Sequence, residues 1–345
     1  MDKDMHVLIK ERLFNPPLLE QKKLDDEKLR YNQFAIVDGA SIKDIETILP
    51  SRTSHYRSLF YRIQTDEYFS PESAPYLIQL DNTLLTWLLE DFYGKAKVSF
   101  YQSTQSLDEL ALHFSQYIVI HVEETTEHEA GEAYLAFYDP RVLAGFVRGL
   151  GANRTEFFAP LHSIYAEKEH EPENQLSWIL DDEGNCHETL FSLTNNNILN
   201  TEIIATEKQK GIHYPNTAES SDVAIVITPF MQQALNQQEL HRNIEQMTHD
   251  LKKQFPAVFK NKDYQKMQSN VTNSVKRMQQ NGFTSYDKLF TLSAWELHYG
   301  ADYEQRDPKG LLASICASPV IDEEKKFTQF KNRVEQLNLQ PEATA

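Results

Sequence analysis

His121, Glu123, Glu124, His128, Glu129 and Glu132 bring imidazoles and carboxylates into one short stretch, the donor types that hold zinc or another transition metal. A metal-dependent hydrolase is the activity such a set would serve. The order, however, lacks the His-Glu-x-x-His of a metal-binding helix, Gly131 interrupts it, and strand-like residues flank it on both sides. It therefore reads as a solvated hairpin loop, and no metal or cofactor is expected. Asp38-Gly39-Ala40-Ser41 offers a carboxylate and a hydroxyl, but a turn with a helix cap explains both more simply. Gly149-Leu150-Gly151 lacks the spacing of a phosphate loop and reads as a helix end. Cys186 and Cys316, the only cysteines, have neither metal-ligand spacing nor the density of a disulfide framework. No catalytic residue is assigned.

Arg141 and Arg148 are harder to absorb. Arg141 falls in the first turn of a predicted helix, the end that disfavours cations, so a partner must hold it: Asp139, a neighbouring strand, or an acidic group on another protein. Tyr56, Phe60, Tyr61, Tyr68 and Phe69 crowd the loop between the first predicted helix and the second strand. Such rings line cores and also anchor interfaces, and the sequence leaves both open. Together with Tyr138, these residues are the candidate partner-binding set.

The elements that must position them follow from periodicity. Phe34–Val37 is a short apolar strand, and Ser41 with Asp44 opens a helix carrying Ile42, Ile45, Ile48 and Leu49. Asp81 or Asn82 opens the next, with Leu84, Leu85, Leu88 and Leu89 on one face and Gly94 ending it. Ser106 and Glu109 form a capping box. Lys97–Tyr101, Tyr117–Val122 and Ala133–Tyr138 suit strands. Asp139 caps and Pro140 begins a helix on which Leu143, Phe146, Val147 and Leu150 recur. Further on, Ser177–Leu180 and Thr189–Leu193 pair around a Gly-containing turn, after which helix signals dominate: Thr228-Pro229, a Tyr264–Met278 stripe, Thr284 with Asp287, and Phe327–Leu337.

The predicted fold class is α+β: a mixed α/β lobe with a small sheet covered by helices, then an all-helical lobe. The predicted organisation is a lead-in over 1–30, an α/β domain over 31–165, an acidic connecting module with a hairpin over 166–222, and a helical lobe over 223–345. At 345 residues, 40% hydrophobic and 11% aromatic, the chain is long enough for two cores. Its 34 basic and 51 acidic residues give a net charge of -17, which disfavours binding to phosphate backbones; no nucleic acid partner is expected. No apolar run approaches the ~20 residues that span a bilayer, and the start has no secretory pattern, so membrane insertion is not expected and the cytoplasm is the expected location.

Five phrases carry a resemblance: Phe34–Ser41, Tyr56–Phe60, Ala74–Leu77, Tyr134–Leu143 and Phe157–Pro160. In that order they resemble the effector-adaptor, or effector-chaperone, proteins of bacterial type VI secretion, the domain of unknown function 4123 family, over roughly residues 31 to 160. The helical C-terminal third looks like the second lobe of such adaptors. Ala136 departs from the pattern, where a basic or bulkier residue is expected before the aromatic pair. The resemblance implies a cytoplasmic protein, not an enzyme, that binds a toxic effector and helps load it onto the valine-glycine repeat (VgrG) spike. The alternative remains the metal-dependent hydrolase built on His121–Glu132.

Overall fold

The structure, a computed structural model, describes residues 7, 9–11, 13–14, 31–60, 70–122, 131–168, 171–181, 183–195, 197–204, 226–259, 264–318, 322–337 and 339. The chain divides into two compact units, Met1–Glu239 and Leu240–Ala345. The fold class is α+β, with a large antiparallel sheet and helices in the first unit and helices alone in the described part of the second.

The first unit is organised by an eight-stranded sheet. In chain order its strands are β1 (Asn32–Asp38), β2 (Tyr56–Ser58), β3 (Pro75–Gln79), β4 (Val98–Ser103), β7 (Leu161–Lys168), β8 (Glu171–Leu180), β9 (Cys186–Ser192) and β10 (Asn197–Ile204). They lie in the order β10-β9-β8-β7-β4-β1-β3-β2. The separate strands β5 (Val119–Val122), β6 (Gly131–Tyr134) and β11 (Val226–Ile227) form a small sheet in the order β11-β5-β6. Central β1 buries Phe34, Ala35, Ile36 and Val37 completely, as a continuous apolar run requires when both faces are covered. Next to it, β4 carries polar residues into the core with their partners: Gln102 Oε1 accepts from Ser163 Oγ at 2.7 Å and Tyr165 Oη at 3.0 Å. That satisfies a carbonyl which would otherwise cost roughly 1–3 kcal/mol to bury.

Helices α1 (Ile45–Arg52), α2 (Asn82–Asp91), α3 (Leu107–Ser115), α4 (Pro140–Gly149) and α5 (Arg154–Phe158) connect and cover these strands. Their starts follow local chemistry. Asp81 caps α2 by accepting from the Thr83 and Leu84 amides, and Ser106 and Glu109 form a complete capping box on α3. The expected Ser41 start of α1 is displaced: a 3-10 turn occupies Gly39–Ser41 and α1 begins after Asp44, which is left-handed at φ 58°. Helix α4 approaches the first turns of α6 (Pro229–Gln254) closely. A Cβ on Gly145 would stand 2.8 Å from Gln238 Cβ, and one on Gly149 2.9 Å from Met231 Cα. Small residues permit that approach.

Two expectations need correction. The stretch 166–222, expected to be a connecting module, instead supplies described strands β8, β9 and β10 that continue the sheet from β7. The sheet is accordingly large rather than small. The misleading signal was a run of carboxylates that reads as solvated. Glu167 is only 2% exposed, and its carboxylate accepts from the Gly94 and Ala96 amides, closing the turn after α2. The division between units falls after Glu239, within α6, rather than near residue 222.

The second unit takes the rest of α6 together with α7 (Pro256–Phe259), α8 (Tyr264–Gln280), α9 (Tyr286–Tyr299), α10 (Leu311–Ala317) and α11 (Glu323–Leu337). Met267, Val271, Val275 and Met278 form the expected buried stripe of α8, with Phe330 and Val334 buried on α11. Helix α9 begins at Tyr286 without a side-chain cap from Ser285. The cap comes from far along the chain instead, where Glu323 accepts from the Thr284 and Ser285 amides at 2.8 and 2.9 Å.

Candidate functional site

Strand β1 ends at Asp38, and Asp38 Oδ1 accepts from the Ala40 amide at 3.1 Å, starting the 3-10 turn. The turn is pressed onto the strand beside it. A Cβ on Gly39 would fall inside the van der Waals shell of the Ala74 carbonyl oxygen, so only glycine fits without a backbone shift. Asp38 pairs in register with Pro75, and the Leu59 amide donates to the Pro75 carbonyl at 2.9 Å. Phrases at residues 34–41, 56–60 and 74–77 thereby meet at one end of the sheet.

The fourth phrase joins them. Asp139 caps α4, accepting from the Arg141 amide at 2.8 Å, and holds the Arg141 guanidinium in a fork, Nε to Oδ1 at 2.9 Å and Nη2 to Oδ2 at 2.6 Å. The local ion pair is thus Arg141's partner; its side chain remains 39% exposed while that of Asp139 is 9% exposed. The Tyr134 and Tyr138 hydroxyls share a hydrogen bond. Phe60 packs edge-on against Tyr134 with ring centroids 5.8 Å apart.

Electrostatics couples these groups. Burial, with the nearby Asp139 carboxylate, raises the Asp38 carboxyl from its ordinary value, against the opposing effects of Ser41, the Ala40 amide and Arg141. Burial also pushes the Tyr134 phenol up to about 12, with Asp38 and Asp139 adding to the rise. Tyr138 moves further in the same direction for the same reasons. The site therefore offers two carboxylates, one guanidinium and two linked phenols kept in their neutral form. It can bind and orient polar and cationic groups through hydrogen bonds and charge.

The remaining candidates divide. Tyr56, on β2, is half-buried and meets Tyr76 edge-on at 6.0 Å; both line a cavity of about 470 Å³ with Pro50, Thr53, Ser54, Arg57 and Ser58. Phe60 and Tyr138 are buried, 8% and 2% exposed, so they support the site from below instead of projecting as anchors. Tyr61, Tyr68 and Phe69 lie outside the described residues. Arg148 is committed to Glu188 on β9, which also accepts from Trp178 Nε1 at 2.8 Å. That pair ties α4 to the far half of the sheet, away from the candidate set. Of the hydrolase reading, 123–130 lie outside the described residues, and His121 pairs in register with Glu132 in the β5–β6 ladder. Among the described residues no three His, Cys, Asp or Glu side chains gather as metal ligands.

Tyr134, 44% exposed, and Asp38 belong to the site although neither stood among the sequence candidates. Asp38 looked fully explained as a turn residue, and that role is real; its proximity to Asp139 is a tertiary fact. The signal available was that both stand within the phrases that carry the resemblance. The fifth phrase lies beneath: Phe157 packs edge-on against Phe137 at 5.8 Å.

No helix among the described residues is long and apolar enough to cross a membrane. Comparison with curated proteins and with solved structures returned no match. A family model described as Domain of unknown function (DUF4123) matches residues 33–156. Over that span, which contains Asp38, Gly39, Ala74, Tyr134, Asp139 and Arg141, the chain is similar to the DUF4123 domain.

Proposed function

We propose that this protein is a non-enzymatic adaptor that binds a type VI secretion effector and assists its loading onto the VgrG spike. The observation that carries the reading is the convergence of four phrases, separated by up to a hundred residues, on the Asp38–Asp139–Arg141–Tyr134 patch. Its chemistry suits a reversible contact. A partly exposed aromatic beside a half-exposed Arg–carboxylate fork resembles the anchors and polar rim of interfaces that must later release. The net charge of -17 favours a cargo or spike segment of basic character, since complementary potentials speed encounter. Such an adaptor would work in the cytoplasm, before secretion.

The test is affinity purification of the tagged full chain from its native host, with mass spectrometry of the eluate. The reading predicts a toxin-like effector and a VgrG protein in stoichiometric yield. Recovery of neither, together with stoichiometric zinc and hydrolytic activity lost in a His121→Ala/His128→Ala variant, would replace it with the hydrolase.

A further inference from the structure

Among the described residues, the two ends of the eight-stranded sheet are protected unequally. At one end β2 is only three residues long, and its Arg57 pairs with Asp108 of α3 at 2.6 Å. Short strands and edge charges are the usual guards against pairing with another chain. At the other end β10 runs for eight residues, about 27 Å of backbone. Seven of those eight are exposed, and none is Lys, Arg or Pro. Ile198, Leu199 and Ile203 are 44%, 51% and 62% exposed, three of the eight large hydrophobic side chains exposed among the described residues.

The order of residues along this edge is close to a palindrome. Reading outward from Thr201, Asn200 mirrors Glu202, Leu199 mirrors Ile203, and Ile198 mirrors Ile204. Antiparallel pairing of two such strands about a twofold axis at Thr201 sets Leu199 against Ile203 on each flank and amide against carboxylate beside the axis. It sets no charge against a like charge, the arrangement that destabilises cross-strand pairs. A twofold contact must be complementary to itself, which a mirrored sequence provides. Asn200 Nδ2 already donates to Glu202 Oε1 at 3.0 Å within one strand, so both groups lie within reach of their counterparts across the axis. The bulge at Leu199 turns Ile198 to the other face, so the mirrored pairing runs from Leu199 to Ile203. Asn200, Thr201 and Glu202 at the centre keep regular register with β9.

We infer that β10 is a self-association edge, on which a second copy of this chain pairs antiparallel about Thr201 to continue the sheet across the dimer. With a net charge of -17 per chain, the copies repel at low ionic strength. At physiological salt that repulsion is screened beyond about 8 Å, while the strand contact is not. Salt therefore tightens this dimer.

Sedimentation equilibrium of the full chain across concentration and salt tests the inference. A monomer–dimer equilibrium that strengthens with salt is expected. Ile203→Glu, which sets a carboxylate opposite Leu199, should raise the dissociation constant about tenfold or more with an unchanged circular dichroism spectrum. On mild oxidation Thr201→Cys should form a covalent dimer. Ile198→Cys should not, because residues 198 of the two copies stand about 20 Å apart in this register. The native Cys186 and Cys316 are buried and silent in that assay. A monomer at every concentration and salt, wild-type association by Ile203→Glu, or cross-linking of Ile198→Cys as fast as Thr201→Cys would each overturn the inference. Should Ile203→Glu fail to fold, the two cysteine variants decide.

Discussion

Asp139 in the first unit and Asp307 in the second each hold an arginine through a two-pronged fork, and their surroundings differ in nearly every other respect. Asp307 receives Arg333 at 2.8 and 2.6 Å and, in addition, the Lys309, Leu311 and Leu312 amides at 3.0 to 3.2 Å. Its side chain is fully enclosed and Arg333 is 16% exposed. The Arg333 guanidinium, helped by those amides, holds the Asp307 carboxyl well below the usual carboxylate range. Asp139 receives Arg141 from only two residues along the chain, leaves that guanidinium 39% exposed, and faces a second carboxylate whose proton affinity is raised. The Asp307 fork joins the start of α10 to α11 and is saturated; it is a clasp. The Asp139 fork leaves its guanidinium 39% exposed at the surface, which a clasp does not need.

The strongest way to break this contrast is to prevent the patch from assembling. Gly39→Ala forces a Cβ against the Ala74 carbonyl and should cost about 3 kcal/mol through the backbone shift it demands. Urea unfolding followed by circular dichroism reads that loss; an unchanged midpoint would mean the turn relaxes freely. Next in size, Asp307→Ala leaves Arg333 enclosed without its partner and frees the α10 amides. It should lower Tm by several degrees, clearly more than Asp139→Ala, where a half-exposed Arg141 can turn to water. Equal losses in the two variants would erase the distinction between clasp and patch.

A smaller effect comes from pH. A carboxyl that binds its proton more tightly in the fold than in the unfolded chain contributes stability at low pH, and that contribution is lost as pH rises through the raised value. Asp38 is such a group. Asp38→Asn keeps an oxygen for the Ala40 amide and removes the charge, so it should melt slightly higher than wild type at neutral pH. The gain should shrink as pH falls through the raised value and be gone below the ordinary aspartate value of 3.8. A Tm difference between variant and wild type that stays the same from neutral to acid pH would mean that Asp38 is not held against its ionisation.

Local chemistry was legible in the sequence wherever a side chain acts on its own neighbourhood. Asp81, the Ser106–Glu109 box, and Asp139 with Pro140 all start helices where their types and spacing say they should. Legibility failed where the partner is remote. Glu323 caps α9 across 38 residues, Glu167 closes a turn 71 residues earlier, and both look like solvated acids when read in order. The same limit hid the extent of the sheet, because β8 and β9 alternate like an isolated hairpin and nothing local says that β7 continues them. It also hid the candidate site. Asp38 and Asp139 are each complete as caps, and only the fold brings one carboxylate into the field of the other.

The central claim is that the Asp38–Asp139–Arg141–Tyr134 patch is where the proposed adaptor would hold a cargo. Its most direct test is titration of the co-purifying effector against Tyr134→Ala/Arg141→Ala in the full chain, with a thermal melt of the same sample. The account predicts at least about tenfold weaker capture, the loss of one interfacial anchor and its charged neighbour, with a cooperative melt whose Tm falls less than that of Asp307→Ala, because Arg141 is 39% exposed where Arg333 is 16% exposed. Wild-type affinity in a folded double variant would contradict it.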